Sequence, residues 1–168
     1  TRTKSFNAFS SIDYPETAMF RDRRLIQFLQ RPAEYTHAVF STALDPNVFV
    51  LRLVPGMRAD IIPLLEGRYR ALVLESFGVG GLPGGDDGAM FAAVRDWCGA
   101  GHLAVFTTQV PHEGSDLAVY EVGRAAKALP GVLEAHDMTP EATAVKLMWV
   151  LGQTTDRAEA EKLFLTPV

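Results

Sequence analysis

The 168-residue sequence lacks the features that define several large classes of protein. It has one cysteine, Cys98, which excludes an intrachain disulfide framework and suits a reducing compartment. The net charge of −4 argues against nucleic-acid binding, which usually requires a basic face. No apolar run is long enough to span a bilayer, and the N-terminus has no signal-peptide pattern. We therefore expect a cytoplasmic protein that contacts neither nucleic acid nor membrane.

The common signatures of catalysis and cofactor binding are also missing. Ser76 lacks the G-x-S-x-G surroundings of a hydrolase nucleophile, and Cys98 falls inside a predicted helix, where a packed thiol is favoured. No Walker A lysine follows the glycine-rich stretch 78–88, and this stretch lacks the full dinucleotide fingerprint. The histidines lie in separate segments without metal-ligand spacing: His37, His102, His112 and His136. We expect no metal and no cofactor.

The acidic residues are the one group of side chains for which ligand binding remains an open alternative. Several lie in predicted loops at one end of the chain's strands: Asp86, Asp87, Glu113, Asp116 and Asp137. Such a cluster could hold Mg²⁺ or an ammonium group, because both prefer anionic oxygen ligands. Helix capping and solvation are the favoured explanation for most of these positions.

The sequence is 48% hydrophobic, and its apolar runs alternate between strand and helix patterns. The predicted strands are 48–53, 70–76, 102–106 and 132–135. The predicted helices are 59–66, 89–99, 117–129, 139–151 and 155–165. This alternation predicts an α/β fold, with an open, mainly four-stranded parallel sheet flanked by helices. We assign residues 47–168 to this domain and residues 1–46 to a linker arm.

Four local patterns predict details of the structure. The β-rich runs 35–40 and 48–53 can pair as a hairpin with a longer loop. Asp86 or Asp87, Thr139 and Asp156 stand where helix N-caps are expected. Gly123 inside a helix indicates close packing, since glycine there otherwise costs about 1 kcal/mol. The helix after Thr139 is apolar nearly all round, which predicts central burial or contact with a partner subunit.

The stretch 71–88 runs from a strand through a glycine-rich loop to a helix. In an open parallel sheet, such loops lie beyond the carboxyl ends of the strands, where ligands bind. The loops at that edge are 54–58, 77–88, 107–116 and 136–139. Glycines at 78, 80 and 81 predict close approach of the backbone to a substrate or a second chain. A flexible surface loop would explain the glycines equally well, and a site, if the domain has one, is expected at this edge.

Four stretches, in chain order, resemble the L-asparaginases, especially their cytoplasmic type I branch. Residues 74–83 (LESFGVGGLP) are similar to the family's L-x-[ST]-[YF]-G-x-G-N-x-P, and residues 108–114 (TQVPHEG) to its T-Q-x…G. Residues 137–147 resemble D-M-T-x-E-A…K-L, and residues 6–15 resemble F-D-A-F-x-S-x-N-x-P. Tyr120 and Gly123 also match. The similarity spans almost the whole chain.

The resemblance implies the C-terminal domain, with its interdomain linker, of an enzyme that hydrolyses L-asparagine to L-aspartate and ammonia. The family's catalytic threonines, aspartate and lysine lie in N-terminal motifs that this sequence lacks, so no catalytic residue carries over and the chain alone should be inactive. Its partners would be the N-terminal catalytic domain and further subunits of a homodimer or homotetramer. The pocket or intersubunit loops would contain Ser76, Phe77, Gly78, Gly80, Gly81, Thr108, Gln109 and Glu113.

Two departures from the family pattern matter. The family's asparagine in the glycine loop is Gly81 here, and the cysteine that follows T-Q in allosterically regulated members is Val110. Any side-chain hydrogen bond from position 81 is therefore missing, and effector binding through the residue at position 110 is not expected. Two other functions stay open: a non-catalytic α/β ligand-binding or interaction module, and a domain of an amidotransferase-type relative.

Overall fold

The computed structural model describes residues 15–29, 40–83 and 88–166. The chain forms two compact units, Thr1–Ser41 and Thr42–Val168. No helix within the described ranges is long and apolar enough to cross a membrane. The predicted boundary between residues 46 and 47 stays a prediction.

The first unit contains an antiparallel hairpin of β1 (Ala18–Arg21) and β2 (Arg24–Gln27). Its two-residue turn consists of Asp22 and Arg23, whose φ angles are 49° and 63°. Two successive positive φ values match the twist of the flanking strands, as in a type I′ turn. The structure thus confirms an N-terminal hairpin, but not at the predicted runs. Residues 35–39 lie outside the described ranges, and the run at 48–53 joins a parallel sheet.

The second unit is built on a four-stranded parallel sheet, which confirms the predicted fold class. Its strands are β3 (Val48–Arg52), β4 (Ala71–Ser76), β5 (Leu103–Thr108) and β6 (Val132–Glu134). They lie side by side in chain order. Leu74 is paired with Leu51 on one side and with Phe106 on the other.

The helical elements cover the sheet on both faces. Two 3₁₀ turns (Ala59–Ile61 and Pro63–Leu65) connect β3 to β4. The α-helices are α1 (Ala89–Gly99), α2 (Glu121–Lys127), α3 (Pro140–Gln153) and α4 (Arg157–Leu165). The 3₁₀ turns, α1 and α2 pack with one face of the sheet, and α3 and α4 pack with the other. Right-handed crossovers between consecutive strands explain why the three connections share a face.

Burial on both faces accounts for the continuous apolar sequence of β4. Leu72 and Leu74 belong to the core under α1, whereas Ala71 and Val73 belong to the core under α3. All four side chains are fully buried. A strand covered on one face would alternate between apolar and polar residues, so the unbroken run is the signal of a central parallel strand.

Several predicted boundaries were wrong for identifiable reasons. The segment 59–66 forms two 3₁₀ turns because Pro63 lacks the N–H that a continuous α-helix needs. The N-cap of α1 is Gly88, whereas Asp86 and Asp87 lie outside the described residues. The helix predicted over 117–129 is confined to α2. The caps at Thr139 and Asp156 are confirmed: their side chains accept backbone N–H groups at 3.3 and 2.8 Å.

The amino-terminal end of the sheet is held by an ion pair between Arg70 and Asp45. Arg70 Nη1 lies 2.7 Å from Asp45 Oδ2 and donates to the carbonyl of Leu151 at 3.0 Å. Burial alone would raise the pKa of Asp45, but hydrogen bonds from Arg70 and from the backbone of Asn47 hold that pKa below its ordinary value. This contact joins the segment before β3 to the start of β4 and the end of α3.

Gly123 is predicted to tolerate no side chain. An added Cβ would overlap the carbonyl oxygen of Leu117, so Gly123→Ala requires a backbone shift and should lower the free energy of unfolding by about 1–3 kcal/mol. Gly99 in α1 has open space around its Cα, so Gly99→Ala should be neutral or stabilising by up to about 1 kcal/mol. Urea titrations of both variants measure the difference. Equal stabilities would contradict the close packing.

Cys98 is predicted to be unreactive in the folded chain. The residue is 2% exposed, and burial raises the pKa of its thiol to about 11 despite the nearby Arg157. Both effects withhold the reactive thiolate, so a disulfide reagent at pH 8 should label the native chain at least on the order of a hundredfold more slowly than the urea-unfolded chain. Comparable rates in the two states would show that the thiol is accessible.

Candidate functional site

The loops that follow β4, β5 and β6 meet at the carboxyl edge of the sheet. The backbone N–H of Asp116 donates to the carbonyl of Val79 at 2.7 Å, which joins the loops after β5 and β4. The N–H of Ser115 donates to the carbonyl of His136 at 2.8 Å, which joins the loops after β5 and β6. Three segments that are distant in sequence therefore form one connected surface.

Residues 77–81, which we call the glycine loop, form a tight turn at the end of β4. The backbones of Phe77 and Gly81 exchange two hydrogen bonds of 3.0 and 2.8 Å, and Gly80 donates to the Phe77 carbonyl at 3.1 Å. Gly78 has a φ of 50°, a value that other residues adopt only with strain. The loop is thus closed on itself and needs glycine at Gly78.

The glycines allow the loop to pack against the segment 116–120, which precedes α2. A Cβ on Gly78 would lie 3.3 Å from Tyr120 Oη, and one on Gly80 would lie 2.9 Å from Leu117 Cδ2. The loop therefore closely approaches another segment of this same chain, which is a different contact from the predicted one. An additional approach to a substrate or partner stays a prediction.

The hydroxyls of Ser76 and Thr108 hold the edge together. Ser76 is fully buried, and its Oγ donates to the Thr107 carbonyl at 2.8 Å. Thr108 Oγ1 donates to the Gly78 carbonyl and accepts the N–H of Val110 at 3.0 Å. Because both hydroxyls donate to backbone carbonyls, neither side chain is arranged as an activated nucleophile, which would instead donate to a base.

Gln109 joins the ends of β3 and β4. Its side-chain Nε2 donates to the carbonyl of Leu53 at 2.6 Å and to that of Glu75 at 2.8 Å. Its backbone N–H donates to the carbonyl of Ser76 at 3.2 Å. A primary amide supplies two donors in one plane, which suits a residue placed between two strand-end carbonyls.

The predicted residues with accessible surface lie around this connected core. Phe77, Gly78 and Gly81 are half-buried, and Glu113 is exposed on the loop after β5. Asp116 and Asp137 are exposed as well, whereas Asp86 and Asp87 lie outside the described residues. In the part of the chain that the structure describes, no group of three His, Cys, Asp or Glu residues could hold a metal ion. The accessible surface at this edge of the sheet thus combines a backbone turn with carboxylates.

Glu134, a buried carboxylate at the end of β6, was not predicted from the sequence. Its Oε1 accepts the N–H of Leu117 at 2.6 Å, and its Oε2 accepts Lys127 Nζ at 2.9 Å, which raises the pKa of Lys127. His136, two residues on, has a φ of 51°. The available signal was an acidic residue within the apolar run 132–135, because a charge buried in a sheet requires partners.

Comparison with known proteins matches this chain to one family. Residues 47–164 match the model of the glutaminase/asparaginase C-terminal domain. The L-asparaginase of Thermococcus kodakarensis is 39% identical over 158 residues, which cover 94% of this chain and 47% of that protein. The D subunit of the glutamyl-tRNA(Gln) amidotransferase of Metallosphaera sedula is 33% identical over 98% of this chain and 37% of its own length. The chain therefore spans half or less of these relatives.

Comparison with solved structures also finds L-asparaginases. The thermostable L-asparaginase from Thermococcus kodakarensis superposes with a TM-score of 0.87 at 36% identity, covering 97% of this chain and 49% of that one. L-asparaginase I from Vibrio cholerae superposes with a TM-score of 0.79 at 25% identity, covering 96% and 48% of the two chains. The fold described above is thus that of about half of each enzyme.

Gln109→Glu should disrupt the carboxyl edge although it barely changes side-chain size. It replaces the two N–H donors to Leu53 and Glu75 with an anionic oxygen that faces both carbonyls. Loss of two hydrogen bonds, together with repulsion between the new carboxylate and the two carbonyl oxygens, should lower the free energy of unfolding by about 2–4 kcal/mol, and the Glu75 carbonyl keeps the N–H of Leu53. The matched control is Gln27→Glu in the hairpin, whose amide is exposed. Equal melting temperatures for the two variants would contradict the assigned role.

Proposed function

Because the chain belongs to the glutaminase/asparaginase family, as its C-terminal domain, we propose that it is that domain of an L-asparaginase. The complete protein would hydrolyse L-asparagine with water to L-aspartate and ammonia. This domain would supply one wall of the active site and would not supply the nucleophile. The proposal assigns the wall to the glycine loop and to the loop after β5.

The observation that supports a wall without catalytic groups is that the hydroxyl groups at this edge are engaged in structural hydrogen bonds. Ser76 and Thr108 donate to backbone carbonyls of neighbouring strands and loops. A hydroxyl nucleophile needs a hydrogen-bonded base and an accessible oxygen. We therefore propose that the catalytic groups come from the N-terminal catalytic domain of the same protein. Such a partner domain is supported by the relatives, of which this chain covers only 47% and 49%.

Each predicted site residue takes a defined part in this proposal. Ser76, Thr108 and Gln109 hold the strand ends, and Gly78, Gly80 and Gly81 shape the turn that faces the other domain. Phe77 would shield the pocket from water, which strengthens electrostatic interactions inside it. Glu113, exposed on its loop, would pair with the ammonium group of L-asparagine, since a carboxylate forms short charge-assisted hydrogen bonds with ammonium.

The proposed enzyme is a homodimer or homotetramer in which these loops close the site of a neighbouring subunit. The surface of α3 supports an additional contact: Ala144 and Leu147 are buried under the sheet, whereas Val145 is 61% exposed. A helix with so small a polar face suits a subunit interface. We propose that the enzyme uses neither a metal nor a cofactor and works in the cytoplasm, whose reducing conditions suit a protein with one free cysteine.

A second candidate is a domain of an amidotransferase of the kind found in Metallosphaera sedula, which the 33% identity over 98% of the chain supports. In that case the same wall would serve a complex that acts on glutamyl-tRNA(Gln). The higher identity to an L-asparaginase, and the larger share of it that the chain covers, favour hydrolysis of the free amino acid. A non-catalytic ligand-binding module would show neither activity.

Fusion of this chain to the N-terminal part of the Thermococcus kodakarensis L-asparaginase tests the proposal. The isolated chain should release no ammonia from L-asparagine above the buffer blank. The fusion should turn over L-asparagine on the order of 1 s⁻¹ or faster. Glu113→Gln in the fusion should raise KM for L-asparagine about tenfold, because an ion pair to the substrate is weakened. Glu66→Gln, at an exposed glutamate between β3 and β4, should leave KM unchanged.

Three results would contradict the proposal. Turnover by the isolated chain would show that the domain carries its own nucleophile. A folded, oligomeric fusion without activity would exclude the wall function. Ammonia release that requires glutamyl-tRNA(Gln) and the remaining components of an amidotransferase would establish the second candidate instead.

A further inference from the structure

Glu134 stands apart from the other buried polar residues. Within the described ranges, the buried polar side chains are those of Ser76, Thr107, Thr108, Ser115, Thr143 and Glu134, and Glu134 alone is charged. Its side chain is 7% exposed. A buried carboxylate is strongly disfavoured unless each oxygen is paired, so its contacts identify what it holds in place.

The two oxygens of Glu134 reach two different elements. Oε1 accepts the backbone N–H of Leu117, just before α2, at 2.6 Å. Oε2 accepts the ammonium group of Lys127, in the last turn of α2, at 2.9 Å. His136 Nε2 lies 3.9 Å from the same oxygen. The carboxylate thus fixes α2 and the segment before it to the end of β6.

Leu117 is also the residue against which the glycine loop packs. It is fully buried, and its Cα and Cδ2 lie 3.4 and 2.9 Å from the position of a Cβ on Gly80. On its other side, its carbonyl oxygen leaves no room for a Cβ on Gly123. Leu117 is therefore enclosed between the glycine loop and α2, and its remaining backbone group, the N–H, is held by Glu134.

We propose that Glu134 is a positioning residue for the glycine-loop wall. It fixes the position of the glycine loop through Leu117, and it does not itself touch the substrate. This inference rests on the proposed function, because it assigns a role in that same site. Removal of the carboxylate would release the segment 116–120, and the loop that packs on it would lose its fixed position. Substrate binding would weaken more than the chemical step, because the catalytic groups lie on another domain.

Amide hydrogen exchange on the 168-residue chain tests the structural half of the inference. Glu134→Ala should speed exchange of the amides of Leu117, Asp116 and Gly81 about tenfold or more, since local opening exposes the hydrogen bonds of the segment and the loop together. Glu134→Gln keeps an oxygen acceptor for Leu117, and its exchange should change less than about threefold. If Glu134→Ala does not fold, Glu134→Asp, one methylene shorter, replaces it. Unchanged exchange in the glycine loop would overturn the proposal.

Kinetics of the fusion enzyme test the functional half. Glu134→Ala should raise KM for L-asparagine about tenfold with a smaller change in kcat, and Glu134→Gln should restore most of the loss. Arg70→Met is the control for general destabilisation, because it removes partly buried hydrogen bonds at the opposite end of the sheet. It should lower the melting temperature and leave KM unchanged. Equal KM effects from the two variants, or a wild-type KM in Glu134→Ala, would overturn the proposal.

The two measurements separate this inference from the proposed function. An inactive wild-type fusion would count against the asparaginase assignment, and the exchange experiment would still decide whether Glu134 controls the glycine loop. An active fusion whose KM does not respond to Glu134→Ala would retain the asparaginase assignment and refute the positioning role.

Discussion

Four parallel strands that lie side by side in chain order constrain most of this structure. Each crossover between them must be right-handed, so all three connections pack on one face and the chain after β6 must cover the other. The same order places the loops after β4, β5 and β6 next to one another at a single edge. Every feature of the candidate site follows from that adjacency, since residues from three distant segments can bond there.

The edge is built largely from side chains that bind the backbone. Thr108 and Gln109 bind carbonyls of the neighbouring loop and strands, and Glu134 binds the N–H of Leu117. Such bonds rigidify a loop without presenting a reactive group. A wall of this kind suits an active site that is shared between domains, because a preorganised surface costs little reorganisation when the catalytic partner docks. Membership of the C-terminal domain family supports the proposal of a shared site.

Patterns with a local physical cause could be predicted from the sequence. The bounds of α1 and the caps at Thr139 and Asp156 follow from periodicity and short-range hydrogen bonds, and the structure confirms them. The position of the hairpin at 18–27 was not predicted, because its turn, Asp22-Arg23, lacks the Asn-Gly or Asp-Gly signal of a type I′ turn. The true start of α2 was missed because the apolar residues at 117–119 continue the helical spacing, whereas the structure has the extended residue Tyr120 as the N-cap. The hydrogen bond from Leu117 to Glu134 joins residues 17 apart, and such a distant contact leaves no periodic trace in the sequence.

The most direct test of the proposed shared, preorganised site is a structure of the complete protein with L-aspartate bound. The glycine loop and the loop carrying Glu113 are predicted to lie within about 4 Å of the bound amino acid or of the residues that hold it. The catalytic hydroxyl should come from another domain. L-aspartate bound at a different edge of the sheet, with both loops left in solvent, would contradict the account.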